Sequence, residues 1–275
     1  MTTTASAFPE RPATALRRGL ELTKWYVDVV AEDGRGAIAY WAELAWHGVR
    51  GRAGSYLTFG PGEPTIERTV LDPGGPPLWA DQSLDWSMSS LHLRARMLRH
   101  LPGAAVRLLG DDTGTLDWNC VAPTGTACLD VGGRRFEGLG YAECLRMNVP
   151  PWRLPIDAVR WGRALIGNRS FVWIQWSGAQ PMDLLLVDGH AVPGRIHADG
   201  LDLASGERLV LDPPHVIRRG ALGEVVRPIR VLWPLLPQVL QDAREEKWLA
   251  RAHLHSLDGH RHSAWAIHEL VTLRR

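Results

Sequence analysis

The stretch 133-GRRFEGLGYAE-143 returns in loose form as 259-GHRHSAWAIHE-269. Each copy has a glycine, an arginine two residues later and a glutamate ten residues on. A second pair, 44-LAWHG-48 and 174-IQWSG-178, recurs at nearly the same distance. The offsets are 126 and 130 residues, about half of the 275-residue chain. Self-similarity at a fixed spacing is the mark of a repeated structural unit. It predicts two similar lobes, 24–160 and 161–275, each closed by a strand bearing a glutamate. Residues 1–23 are expected to form an irregular or disordered N-terminus.

Between these landmarks the chain is written in short β-patterned runs. They include 25-WYVDVV-30, 37-AIAYWAELAW-46, 104-AAVRLL-109, 126-TACLDV-131, 171-FVWIQW-176, 182-MDLLLVD-188 and 208-RLVLD-212. Turn signals such as Asp33-Gly34 and Gly132-Gly133 separate them, a pattern of antiparallel sheets, sandwiches or barrels. The fold class expected is therefore all-β with few short helices. The helical candidates are 155-PIDAVRWGRAL-165, which opens with proline, and 237-PQVLQDAREEKW-248.

Composition excludes several functions. Thirty-one basic residues face thirty acidic ones, so no charge field favours nucleic acid. Only Lys24 and Lys247 of those basic residues are lysine, a skew that reads as composition rather than chemistry. Three cysteines, Cys120, Cys128 and Cys144, show no CxxC spacing, which points to a reducing cytoplasm. The opening residues carry no signal-peptide core, and no run reaches the ~18 apolar residues of a membrane span. A soluble protein is expected.

Thirteen tryptophans against four phenylalanines and four tyrosines are unusual. Two readings stand. The indoles either fill a β core or line an apolar cavity and offer π faces to a cation. Period-two alternation puts Tyr141, Glu143 and Leu145 on one strand face and the small residues Gly140, Ala142 and Cys144 on the other. A carboxyl among tryptophans is disfavoured as an anion and can serve as a proton donor. The competing reading pairs Glu143 with Arg146 or Arg135. In 116-LDWNCVAP-123, Asn119 either holds a substrate oxygen or satisfies backbone. In 171-FVWIQWSG-178, Phe171, Trp173 and Gln175 share a face, with Val172, Ile174 and Trp176 opposite. The candidate site is thus Glu143, Tyr141 and Asn119 for chemistry. Trp118, Trp152, Trp173, Gln175, Trp176 and Trp41 are the candidates for holding substrate. The pairs His253-x-His255 and His260-x-His262 flank a turn but have no carboxylate or thiolate at ligand spacing, so no metal is expected. No HExxH, GxSxG or phosphate-binding loop is present.

The segments 25-WYVDVVAEDGRG-36, 117-DWNCVAP-123, 138-GLGYAE-143 and 161-WGRALIGNRSFVWIQW-176 resemble the carotenoid 1,2-hydratases (hydroxyneurosporene synthases) and their AttH-type relatives. The motifs keep the family's order from about Lys24 onward. The resemblance implies two lipocalin-like antiparallel β lobes, of barrel or sandwich form. It also implies a cofactor-independent pocket for an isoprenoid, polyene or polyketide-like molecule, with transient membrane contact as a route for collecting it. Glu143 falls where the hydratases have an aspartate that protonates the alkene, and Tyr141 matches their Gly-Tyr. The chain departs from them at Cys144, Leu145 and Arg146, where the family continues acid-x-Asn-x-Gly. It departs again at 65-TIERTVLDP-73, in place of an Asn-His-Cys segment. Acid-catalysed hydration or cyclisation is the function implied, and a non-catalytic carrier of an apolar metabolite is the alternative.

Overall fold

The computed structural model describes residues 19–221 and 241–273. Ten strands form the first sheet: β1 Leu20–Val30, β2 Gly36–Trp46, β3 Val49–Gly60, β4 Glu63–Leu71, β5 Leu78–Ala80, β6 Ser83–Met88, β7 Leu93–Arg99, β8 Ala104–Asp111, β9 Gly114–Val131 and β10 Arg134–Met147. Ten more form the second: β11 Ala158–Ile166, β12 Arg169–Ser177, β13 Met182–Val187, β14 His190–Ala191, β15 Gly194–His197, β16 Gly200–Leu203, β17 Arg208–Leu211, β18 His215–Ala221, β19 Arg244–His255 and β20 Arg261–Thr272.

The first sheet runs β4-β3-β2-β1-β10-β9-β7-β6-β5, with β8 paired to β9. Adding ten to every label gives the second: β14-β13-β12-β11-β20-β19-β17-β16-β15, with β18 paired to β19. The strands of Glu143 and Glu269, β10 and β20, hold the same place in the two copies. The expected all-β architecture of two lipocalin-like lobes is what the chain adopts. The helical residues described are two 3-10 turns, Ser89–Leu91 and Pro151–Arg153, and Gln241.

Three apolar clusters follow from strand alternation. Trp25, Val27 and Val29 of β1 point into the interior of the first sheet with Trp41, Trp86 and Phe136. Their neighbours Tyr26 and Val30 point the other way, into a core shared by both sheets. Likewise Ala164 and Ile166 of β11 join Phe171 and Trp173 inside the second sheet, while Trp161 and Leu165 enter the shared core with Ile174 and Trp176. β1 and β11 are thus buried on both faces, which accounts for their near-continuous apolar runs.

One helix expectation is corrected outright and the other in its last residues. Residues 158–165 are strand, because β11 lies between β12 and β20 and satisfies its backbone on both sides; Pro155 precedes a strand rather than opening a helix. Of the second candidate, residues 244–248 are the start of β19, Gln241 is helical, and 237–240 lie outside the described residues. At the N-terminus Leu20–Thr23 already pair with β2, so the irregular segment expected over 1–23 stops short of them; residues 1–18 lie outside the described residues.

The small face of β10 has a packing reason. A Cβ at Gly140 would meet the Ala127 Cβ at 2.4 Å and the Asp28 carbonyl oxygen at 2.6 Å. Register shifts on either side of Ala142 break the β9–β10 ladder beside Pro123, which has no N–H to donate. Such a bulge re-aims side chains, and Tyr141 and Glu143 lie at it.

Candidate functional site at the lobe interface

β10 delivers Glu143 to the shared core, where its neighbours come from both lobes. The Trp118 indole N–H and the Tyr141 hydroxyl each donate to Glu143 Oε2 at 2.7 Å. From the second lobe the Trp161 indole N–H donates to the same oxygen at 3.1 Å. None of the three reaches Oε1. Trp161 also packs edge-on against Tyr26 and Tyr141, with ring centroids 5.2 and 5.6 Å apart. Among the described residues no arginine or lysine bridges Glu143, so the reading that paired it with Arg146 or Arg135 is not the arrangement found. Arg135 instead bonds Glu137.

Beside this aromatic cluster runs a charged one. Asp28 is fully buried and receives both Arg163 Nη2 at 2.6 Å and Arg163 Nε at 3.1 Å, with the Tyr26 hydroxyl at 2.7 Å on the same carboxylate. Asp28 belongs to β1 and Arg163 to β11, so this ion pair ties the lobes together. Lys247, on β19, is buried, and its ammonium contacts Glu269 and lies 3.6 Å from Glu245. It sits over the Trp161 and Tyr26 rings, 5.5 and 5.7 Å from their centroids. Burial pulls the amine down to about 7, with Glu245 opposing and Arg218 and Lys24 reinforcing the shift. Glu245 is held at about 2: burial pushes it up, but Lys247 and Arg218 pull it down and prevail. The Cys120 thiol, between Trp118 and Glu143, is pushed far up by burial and stays protonated.

The candidates named from sequence divide by strand face. Tyr141 and Trp118 both bond Glu143. Trp176 enters the same core, and Trp152 packs at its edge, edge-on to Trp46 at 5.8 Å. Trp173 does not reach Glu143, because it alternates with Trp176 into the interior of the second sheet. Trp41 lies inside the first sheet, donating to the Gly74 carbonyl at 2.9 Å. Asn119 alternates with Trp118 and Cys120 and therefore faces away from Glu143. Gln175 bonds Asp183 at 3.1 Å and lines a separate shallow cleft of about 290 Å³ with Arg160 and Thr272. The histidine-rich hairpin is spread among hydrogen-bond partners: His253 meets Ser263 and Asp212. No group of three or more potential metal ligands occurs among the described residues.

Sequence reading missed Trp161, Asp28, Arg163, Arg218, Glu245 and Lys247. One signal was available. Arginine cannot lose its proton in a protein, whereas a buried lysine can, and both lysines of this arginine-rich chain lie at this interface.

With this geometry in place, comparison shows what the chain resembles. No family model and no curated protein matches it. Among solved structures, a candidate AttH protein of Nitrosomonas europaea matches over 97% of this chain and 100% of its own, with a TM-score of 0.54 and 9% identity. CghA matches over 92% of this chain and 88% of its own, with a TM-score of 0.51 and 11% identity. The structure of CghA with Sch210972 matches over the same shares, with a TM-score of 0.50 and 10% identity. At identities this low the structural likeness shows the fold alone, and function has to be argued from the site. No described helix is long and apolar enough to cross a membrane.

Proposed function

We propose that this chain is a cofactor-independent enzyme in which Glu143 protonates an alkene of an apolar isoprenoid or polyene-type substrate, leading to hydration or cyclisation. The observation that carries the reading is the set of partners around Glu143: three neutral N–H and O–H donors, all on Oε2. On this reading Oε1, which none of these three donors reaches, is the oxygen that passes a proton to the substrate. As that proton leaves, charge develops on the carboxyl, and the donors already in place stabilise it without reorganising. The cation formed on the substrate is met by the π faces of the surrounding indoles and phenols. The resemblance to carotenoid 1,2-hydratases, which have an acid at the Glu143 position, supports the same chemistry. A neighbour of the same fold solved with a small molecule, Sch210972, supports a small-molecule ligand. Cys120, Cys128 and Cys144, all free thiols, are consistent with action in the cytoplasm.

A carrier would need no proton donor. Glu143→Gln keeps the shape and accepts the same hydrogen bonds, but has no proton to give. The expected result is loss of turnover by roughly 10²–10⁴-fold with ligand binding and Tm unchanged. Normal turnover by Glu143→Gln would falsify the assignment, and unfolding of the variant would make Glu143 a structural group.

A further inference from the structure

Two buried donors in the shared core have no acceptor among the described residues: the Tyr40 hydroxyl and Arg218 Nε. Both side chains are about nine-tenths buried, Tyr40 at 9% residual exposure and Arg218 at 10%. The rest of the Arg218 guanidinium is fully engaged. Nη1 donates to Glu67 of β4 at 3.0 Å, and Nη2 donates to both oxygens of Glu245 at 2.6 Å. These anchors span the lobes and hold the guanidinium 5.6 Å from the Tyr40 ring centroid. Lys24 lies 5.2 Å from the same ring, and the Tyr26 ring packs edge-on to it at 5.3 Å. Burial pushes the Tyr40 phenol well up, with Arg218 opposing and Glu245, Glu67 and Glu143 adding to the rise. Tyr40 therefore remains an O–H donor, within the electrostatic reach of Glu143.

An unmade hydrogen bond costs a buried donor its full desolvation penalty. Two such donors beside one ring, unmatched among the described residues, favour an acceptor brought by a ligand. Its charge follows from the surroundings. The cations here, Lys24, Lys247 and Arg218, are already matched by Glu67, Glu245 and Glu269 without counting Glu143. No positive excess is left to hold an anion. A neutral carbonyl oxygen has two lone pairs and accepts from two donors at once.

We propose that the lobe interface takes an apolar ligand bearing a neutral carbonyl oxygen, which accepts from the Tyr40 hydroxyl and from Arg218 Nε–H. This rests on the reading of Glu143 as the acid of the same site. It narrows the apolar isoprenoid or polyene-type substrate to an unsaturated ketone, ester or amide.

The test uses the full chain and three probes: geranylacetone, the hydrocarbon with CH2 in place of its C=O, and geranic acid. Binding is followed by tryptophan fluorescence, and the ketone C=O stretch by infrared difference spectroscopy. The ketone is expected to bind at least five- to tenfold tighter than the hydrocarbon, roughly the worth of one or two net hydrogen bonds. Its C=O stretch should fall in frequency on binding. Tyr40→Phe removes an unpaired hydroxyl, so Tm should hold or rise while the ketone preference shrinks by about fivefold and the infrared shift diminishes. Equal binding of ketone and hydrocarbon overturns the proposal, as does an unshifted C=O stretch. Tightest binding of geranic acid would mean an anion site instead. The two readings fail separately. A ketone preference alongside normal turnover by Glu143→Gln removes the acid and keeps the carbonyl site, whereas inactive Glu143→Gln without a ketone preference does the reverse.

Discussion

Glu143 and Glu269 occupy matching positions in two copies of one sheet and have acquired opposite surroundings. Glu143 pairs across its ladder with Tyr26, and Glu269 with Trp161. Two residues further along those partner strands stand Asp28 and Arg163. On the other side, Glu143 faces Cys120 and Glu269 faces Lys247. Two residues before them stand Trp118 and Glu245. The backbone frame was kept, and each register position was refilled. In the first lobe this left a carboxyl among neutral donors. In the second, the carboxyl is neutralised by an amine. Because the two lobes meet face to face, matching positions also became partners: Asp28 of one bonds Arg163 of the other at 2.6 Å. The two sheets share one strand order, and different residues at a few inward positions set a candidate acid apart from a structural ion pair.

The sharpest way to break this comparison is to make the same change in both copies. Glu143→Gln is expected to reduce kcat by roughly 10²–10⁴-fold at unchanged Tm. Glu269→Gln should leave turnover per folded molecule in place and lower Tm, since it deprives the buried Lys247 of its contact. Equal kinetic losses in both variants would show that the two carboxyls act together.

Next in size is the bridge between the lobes. Asp28→Asn leaves the Arg163 guanidinium buried, at 1% exposure, without its counter-charge. A loss of about 3–5 kcal/mol in urea unfolding is expected, and replacing both residues by apolar ones of similar volume should recover most of it. A loss too small to measure would mean that the lobes are held by apolar packing alone.

A smaller effect separates the two surroundings by pH. Lys247 has its folded value near 7 against an ordinary 10.5. Between those values the unfolded chain binds a proton that the folded chain does not, so this group makes stability rise with pH across the window. Below about 7 both states are protonated and the slope from Lys247 vanishes. Lys247→Met should flatten the rise in a Tm series from pH 7 to 10. A wild type with no such rise would show that Glu269 keeps the ammonium charged throughout.

The smallest effect is expected at Arg107, which bonds Asp117 on the surface at 62% side-chain exposure. Solvent-exposed pairs contribute little, so Arg107→Ala should leave Tm and turnover at wild-type values. A clear drop would extend the site beyond the interface.

The strands at 25–30, 37–46 and 171–176 were legible because alternation and β-branched or aromatic content are local properties. The helix expected over 155–165 failed for a non-local reason: β11 is flanked by two strands, and its apolar residues serve two different cores. The same double burial blurred the site. Trp173 and Trp176 were separated by alternation in the sequence, yet which face met Glu143 depended on which side of the sheet the other lobe covered.

By itself the sequence determined the all-β class, the tandem repeat, the equivalence of the Glu143 and Glu269 strands and the placement of Tyr141 and Glu143 on one strand face. These follow from periodicity and from spacing within one strand or between two copies of it. Only the tertiary structure decided that Trp161 would reach across to Glu143, that Asp28 would find Arg163 135 residues away, and that Lys247 would be buried beside Tyr26. Those contacts join residues on different sheets, and their geometry is set by how two curved surfaces pack. No local pattern encodes that.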